Sequence, residues 1–135
     1  MDDFVRIERA IFDRLLVEAR GNPAIECCGL LAGRNGVITA VLPAKNALQS
    51  AKAYEIASQE LFALFRRMRS ESLDHLGIYH SHPKGENSPS PVDLERAFYP
   101  GVVYLIICPH PGASHPIRAF SIIEGRAREL SLRVL

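Results

Sequence analysis

Two histidines, a serine and an aspartate lie close together in the chain: His80-Ser81-His82-Pro83 is followed by Ser90-Pro91-Val92-Asp93. The apolar run Leu76-Gly77-Ile78-Tyr79 before them is short enough to be a buried strand. If that strand continues through His82, both imidazoles turn to one face, because successive side chains alternate. Two imidazoles and a nearby carboxylate are ligands of the kind zinc prefers. A catalytic zinc takes three protein ligands and leaves its fourth position to water. The spacing therefore predicts a single open zinc site on His80, His82 and Asp93.

Each of these residues also has a plainer explanation. A lone histidine is more often structural than a ligand, although two at strand spacing are less common. Ser90-Pro91-Val92-Asp93 has the form of a helix start, with Ser90 capping and Asp93 at the third position. The two readings are compatible, since a helix start can hold a carboxylate rigidly toward a metal. Ser90 then keeps its hydroxyl near the reaction centre, and Ser88 is a less well supported rival.

Hydrolysis at such a metal also needs a base to take a proton from water. The His-Glu-x-x-His motif that carries a base in other zinc proteases is absent, so the base comes from elsewhere. Glu26 stands at the mouth of the apolar run Cys27-Cys28-Gly29-Leu30-Leu31-Ala32-Gly33, where a carboxylate otherwise has little to do. The residues alone leave two readings open, a base or an exposed strand-start side chain. Gly29 and Gly33 in that run allow another backbone to approach closely.

These side chains need elements to position them. Val5, Ile7, Ile11, Leu15, Leu16 and Ala19 are near helical spacing, which predicts an amphipathic helix from about Phe4 to Arg20, stopped by Gly21-Asn22-Pro23. Glu26 to Gly33 reads as a strand, Asn35-Gly36 as a hairpin turn, and Val37 to Leu42 as the returning strand. Residues 43–57 show no period; a loop of that length is uncommon unless functional, so it is expected to border a substrate groove. Ser58 reads as the cap of a second helix, with Glu60 in its first turn, ending near Ser72. After the histidine strand come a polar loop, a short third helix over Pro91 to Phe98, and a central strand over Val102 to Cys108. Ile117 to Ile123 and Ala127 to Leu135 complete the chain around a turn at Glu124-Gly125. His110 and His115 fall in a turn-rich loop, are expected to be exposed, and receive no role.

The expected fold is one α/β (α+β) domain over residues 1–135, a mixed β-sheet of about six strands flanked by three helices. Composition agrees: 47% hydrophobic and 23% charged residues suit a soluble globular protein. A net charge of +1, with both signs mixed along the chain, makes no electrostatic case for nucleic acid or a membrane surface. No apolar segment reaches the roughly 20 residues that span a bilayer. Met1-Asp2-Asp3-Phe4 lacks the basic and apolar regions of a signal peptide. Three cysteines, an odd count, fit a reducing compartment, and the expected location is cytoplasmic. Cys28 and Cys108 sit in apolar runs and read as buried, inert thiols.

Taken together, Glu26, His80-Ser81-His82-Pro83, Ser90 and Asp93 match the glutamate…His-x-His-(x7)-Ser-x-x-Asp signature of the JAMM (MPN+) metalloproteases. The run from Glu26 to Gly33 resembles that family's first strand, and Tyr54-Glu55-Ile56 resembles a segment of its prokaryotic members. The resemblance spans roughly residues 5 to 130, and no motif position departs from it. It implies a cytidine-deaminase-like fold around one catalytic zinc held by His80, His82 and Asp93. It makes Glu26 the general base and acid, and gives Ser90 a share in holding the oxyanion. The implied substrate is a ubiquitin-like or sulfur-carrier protein with a Gly-Gly C-terminus, cleaved after its last glycine.

Four other readings compete. RadC-type proteins share the metal motif, but neutral charge and the lack of a preceding helix-hairpin-helix module speak against that relation. A zinc nucleoside deaminase needs Pro-Cys-x-x-Cys, which is missing. A cysteine hydrolase on Cys28 and His80 lacks any feature that lowers the thiol pKa. A catalytically silent binding module remains the alternative from another class, although every motif position is filled. The sequence does not set the oligomeric state.

Overall fold

The computed structural model describes residues 3–135, so Met1 and Asp2 of the acidic N-terminus lie outside the described residues. Its elements run β1 (Phe4–Ile7), α1 (Arg9–Arg20), β2 (Cys28–Arg34), β3 (Val37–Ala44), α2 (Ser58–Ser70), β4 (Asp74–Ser81), α3 (Pro91–Glu95), β5 (Val103–Ile107), β6 (Ile117–Ile123) and β7 (Arg126–Val134). The strands close into a barrel in the order β1-β3-β2-β4-β5-β6-β7, with β7 returning to β1.

This corrects the expected sheet of about six strands. The additional strand is β1, where the sequence pattern predicts the start of the first helix. Phe4-Val5-Arg6-Ile7 buries Val5 and Ile7 and exposes Arg6, an alternation of period two. Four residues of that pattern also fit a helical face. Parallel pairing to both β3 and β7 makes them a strand and closes the ring. The helix proper starts at Arg9 and buries Ile11, Leu15 and Ala19. Two smaller corrections concern the other helices. Ser58 lies inside α2, with Ala57 in the cap position, and α3 ends at Glu95 rather than Phe98.

Both Asn35-Gly36 and Glu124-Gly125 adopt positive φ at both positions, as the sequence predicts for tight hairpin turns. β2, β4 and β5 read as continuous apolar runs because both of their faces are covered. Leu31, Tyr79 and Leu105 pack with α1 in one cluster, whereas Leu30, Ile78 and Ile106 pack with Met68 of α2 in another. By the same alternation His80 belongs to the α2 side.

The order of the ring places the site. β2 pairs antiparallel with β4, and Cys28 stands opposite His80. Each step outward along this pair brings Glu26 nearer His82. β4 is paired on its other edge with β5, so a substrate strand has no free edge of β4 to join.

Gly29 allows this close packing. A Cβ there would lie 2.5 Å from the Leu42 carbonyl oxygen and 2.6 Å from the Tyr79 hydroxyl. Tyr79 fills that space and donates to Glu18 of α1 at 2.7 Å. Gly29→Ala is expected to destabilise the protein by about 2–3 kcal/mol, because backbone and ring must both move. Denaturant unfolding measures it, and an unchanged midpoint would show that β2 and β3 can separate freely.

Candidate metal centre

β4 carries His80, the residue just past its end is His82, held by its N–H to the Ile107 carbonyl at 2.9 Å, and the start of α3 delivers the carboxylate. His80 Nε2, His82 Nε2 and Asp93 Oδ2 form a near-equilateral triangle with edges of 3.1, 3.0 and 3.1 Å. A tetrahedral zinc with bonds of roughly 2.0–2.1 Å separates its ligand atoms by about 3.3 Å, so the triangle has the right size. Among the described residues, these three are the one group whose ligand atoms converge in this way.

The donor chemistry agrees with the geometry. The Glu86 carbonyl can only accept, so His82 Nδ1 donates to it at 2.7 Å and turns the Nε2 lone pair into the triangle. Asn87 anchors that loop by donating to the His115 carbonyl at 2.8 Å. His80 is 1% exposed, and burial lowers its pKa, which favours the neutral imidazole that binds metals. Burial alone would raise Asp93, but hydrogen bonds with His80 and His82 hold its carboxyl well below the usual range. Burial likewise lowers His82, but Asp93 and the Glu86 carbonyl outweigh it and leave the ring raised. A cation entering the triangle displaces that proton. The residues fit a zinc ion.

Ser90 and Asp93 make a complete capping box. Ser90 Oγ accepts from the Asp93 N–H at 3.1 Å, and Asp93 Oδ2 accepts from the Ser90 N–H at 2.9 Å. The cap and the ligand are thus one carboxylate oxygen, fixed by its own helix turn. The serine hydroxyl accepts here, so its O–H remains able to donate.

Glu26 is 2% exposed, and its Oε1 has no hydrogen-bond partner in the protein. Burial pushes its carboxyl up to about 8; the field of His82 opposes this and that of Asp93 adds to it. A buried carboxyl with a free oxygen, coupled to two corners of the triangle, is a group prepared to exchange a proton. Its neighbour Cys27 is clamped by Ser81: the Cys27 N–H donates to Ser81 Oγ at 2.9 Å, and the Ser81 N–H returns to the Cys27 carbonyl at 3.0 Å.

Several contributors received no role in the sequence reading, although Tyr54 falls in the segment that resembles prokaryotic members of the family. Ser81 sits between the two histidines as an ordinary strand residue. Asn46 is buried within the long loop, and the ring of Tyr54 stacks on His80 with centroids 4.6 Å apart. An asparagine in a loop of small and polar residues carries no distinguishing local signal. The cysteine-hydrolase reading fails: burial pushes the Cys28 thiol up to about 12, and its side chain lies beneath the surface. His110 and His115 are exposed, as expected.

Comparison with known proteins agrees with this geometry. A sequence profile described as prokaryotic homologs of the JAB domain matches residues 8–123. The chain is similar to the desampylase of Haloferax volcanii, 40% identical over 104 residues that span 72% of this chain and 75% of that protein. It is similar to the CysO-cysteine peptidase of Mycobacterium tuberculosis, 29% identical over 98% of this chain and 92% of that one. The solution structure of a Desulfitobacterium hafniense protein superposes with a TM-score of 0.86 at 29% identity, covering 97% of this chain and 92% of the other. A JAB1/MPN domain protein from Archaeoglobus fulgidus shares the fold with a TM-score of 0.66 at 19% identity, covering 97% and 96%.

Proposed function

The chain belongs to the prokaryotic JAB-domain family, and from that premise we propose that it is a zinc-dependent peptidase of ubiquitin-like or sulfur-carrier proteins. The observation that carries the reading is the buried triangle of His80, His82 and Asp93 with the unpartnered Glu26 carboxyl beside it. In this reading His80, His82 and Asp93 hold one zinc ion. Zinc there supplies Lewis acidity, polarising a carbonyl and making water more acidic.

The chain's own groups do the rest. Glu26 takes a proton from the attacking water as the new C–O bond forms, and gives it to the leaving nitrogen when the C–N bond then breaks. Its raised pKa suits both directions of that transfer near neutral pH. Ser90 donates its O–H to the oxygen that becomes negative in the tetrahedral state. Tyr54, stacked on His80, shields one side of that ring.

The relatives' names support the substrate class: a desampylase, a CysO-cysteine peptidase and a probable TtuB-protein conjugate cleaving protease. A groove lined by Tyr54, Ile56, Phe98 and Tyr99 supports an extended tail there. Among the described residues no hydrogen bond occupies the main chain of Tyr54 or Ile56, whereas Glu55 is tied inward. An extended tail ending in Gly-Gly can pair with those free groups as an added strand. No helix of the described residues is long and apolar enough to cross a membrane.

A fusion of a Gly-Gly-ending carrier protein to a short peptide tests the proposal. Cleavage after the second glycine is expected, with complete loss on adding a chelator and recovery with zinc. Cleavage that persists in chelator would end the zinc reading. Binding of the carrier without cleavage would favour the silent module.

A further inference from the structure

The segment between β3 and α2 is closed on itself by one buried side chain. Asn46 is 3% exposed. Its Nδ2 donates to the Glu26 carbonyl at 3.1 Å and to the Ala53 carbonyl at 3.0 Å, with the Ser50 carbonyl at 3.4 Å. Its Oδ1 accepts from the N–H of Leu48 at 3.1 Å and of Glu55 at 3.2 Å. Both ends of the amide are fully used, so removing it leaves buried groups on all sides without partners. Two main-chain bonds complete the strap: Glu26 N–H to Ser50 at 2.8 Å, and Ala47 N–H to Glu55 at 2.8 Å.

Glu26 lies two residues ahead of β2 and outside its ladder. Its N–H and C=O are held by the strap alone, the first by Ser50 and the second by Asn46. The same strap carries Tyr54, whose ring stacks on His80. One amide therefore joins the main chain of the base to the ring that packs on a corner of the triangle. The barrel ladders use none of these bonds, so the strap can open without unpairing β2, β3 or β4.

We propose that Asn46 is a positioning residue for the reaction: it fixes the Glu26 main chain and the Tyr54 ring together, so that carboxylate and His80 are in register only while the strap is closed. The proposal rests on the role given to Glu26 above. It also gives a reason for a long loop that has no regular structure yet is held firmly. Groove residues Tyr54 and Ile56 belong to the strap, so the segment that holds Glu26 also lines the groove.

Asn46→Ala and Asn46→Asp test this in the full-length, zinc-loaded protein. The aspartate keeps the acceptor for Leu48 and Glu55 but loses the donors to Glu26 and Ala53. It serves in both measurements if the alanine variant does not fold. The first readout is amide hydrogen exchange, which needs no turnover. The Glu26 amide is expected to lose at least tenfold in protection, while Leu30–Ala32 and Ile78–His80 keep theirs. The second is cleavage of the carrier fusion. There kcat is expected to fall about 10–100-fold, the cost of misplacing a reacting group by about 1 Å, with KM within about threefold and zinc content unchanged. Protection kept at Glu26, or lost throughout the barrel, overturns the proposal. So does a kcat within twofold of wild type once the Glu26 amide is freed. A wild-type protein that cleaves no carrier fusion would instead overturn the proposed function, and the exchange measurement would still decide whether Asn46 places Glu26.

Discussion

Glu26→Gln is expected to keep its zinc and lose turnover by about 10²–10⁴-fold, the usual worth of a positioned general base. Glutamine matches the size of the carboxylate and keeps an oxygen, so the main-chain hold from Ser50 and Asn46 is undisturbed. Only the ability to accept and return a proton is lost. The triangle of His80, His82 and Asp93 does not include Glu26, and zinc content by metal analysis should equal that of wild type. Zinc lost together with activity would make Glu26 a ligand and overturn its assignment as base.

The same substitution has a second signature in the metal-free protein. The Glu26 carboxyl is raised from an ordinary value of 4.5 to about 8, chiefly by burial, with Asp93 adding and His82 opposing. Between those values the folded state holds a proton that the unfolded state has released. The contribution of Glu26 to stability is thus greatest below about pH 4.5 and is lost as pH rises toward 8. Glutamine carries no such titration. The stability of Glu26→Gln relative to wild type should therefore grow by about 2–3 kcal/mol from pH 5 to pH 8. Urea unfolding at the two pH values measures it, and a constant difference would show a well-solvated carboxylate.

His82→Ala is expected to lose metal and activity together. It removes one corner of a triangle with edges of 3.0–3.1 Å and leaves two ligands, too few for the three-ligand arrangement of a catalytic zinc. Loss of a partner that merely orients a ligand costs about 10–100-fold in affinity, and loss of the ligand itself should exceed that. The capping box between Ser90 and Asp93 is closed by bonds within its own helix turn, which the ring does not supply, so α3 should persist and the circular dichroism should not change. Titration calorimetry with zinc, alongside the cleavage assay, separates these effects. Turnover at the wild-type rate would remove His82 from the metal site.

The two predictions differ in how far the residues involved could be read beforehand. His80 and His82 share a face because strand period is a local property, and Pro83 marks where the run ends. Ser90 and Asp93 are three apart at a helix start, and in the structure they share a capping box while Asp93 is also a corner of the triangle. Local chemistry sufficed for those four. Glu26 differed: spacing alone left it equally readable as an exposed strand start, and only the family resemblance singled it out. The pairing of β2 with β4, which puts Cys28 opposite His80, supplies the physical reason for its place.

By itself, the sequence picked out His80, His82 and Asp93, the three side chains that converge in the fold, together with the helix start that carries Asp93, both tight hairpin turns and the apolar runs of β2, β4 and β5. All of these are patterns carried by short stretches of the chain. The tertiary structure alone decided the seventh strand, the closure of the barrel and the strap around Asn46. Phe4–Ile7 is too short to choose between helix and strand until β3 and β7 offer it parallel partners. Asn46 looks like any loop asparagine until the Glu26 carbonyl, twenty residues upstream, reaches its amide. Pairing and hydrogen bonding across such separations depend on which segments the folded chain brings together, and no local pattern records that.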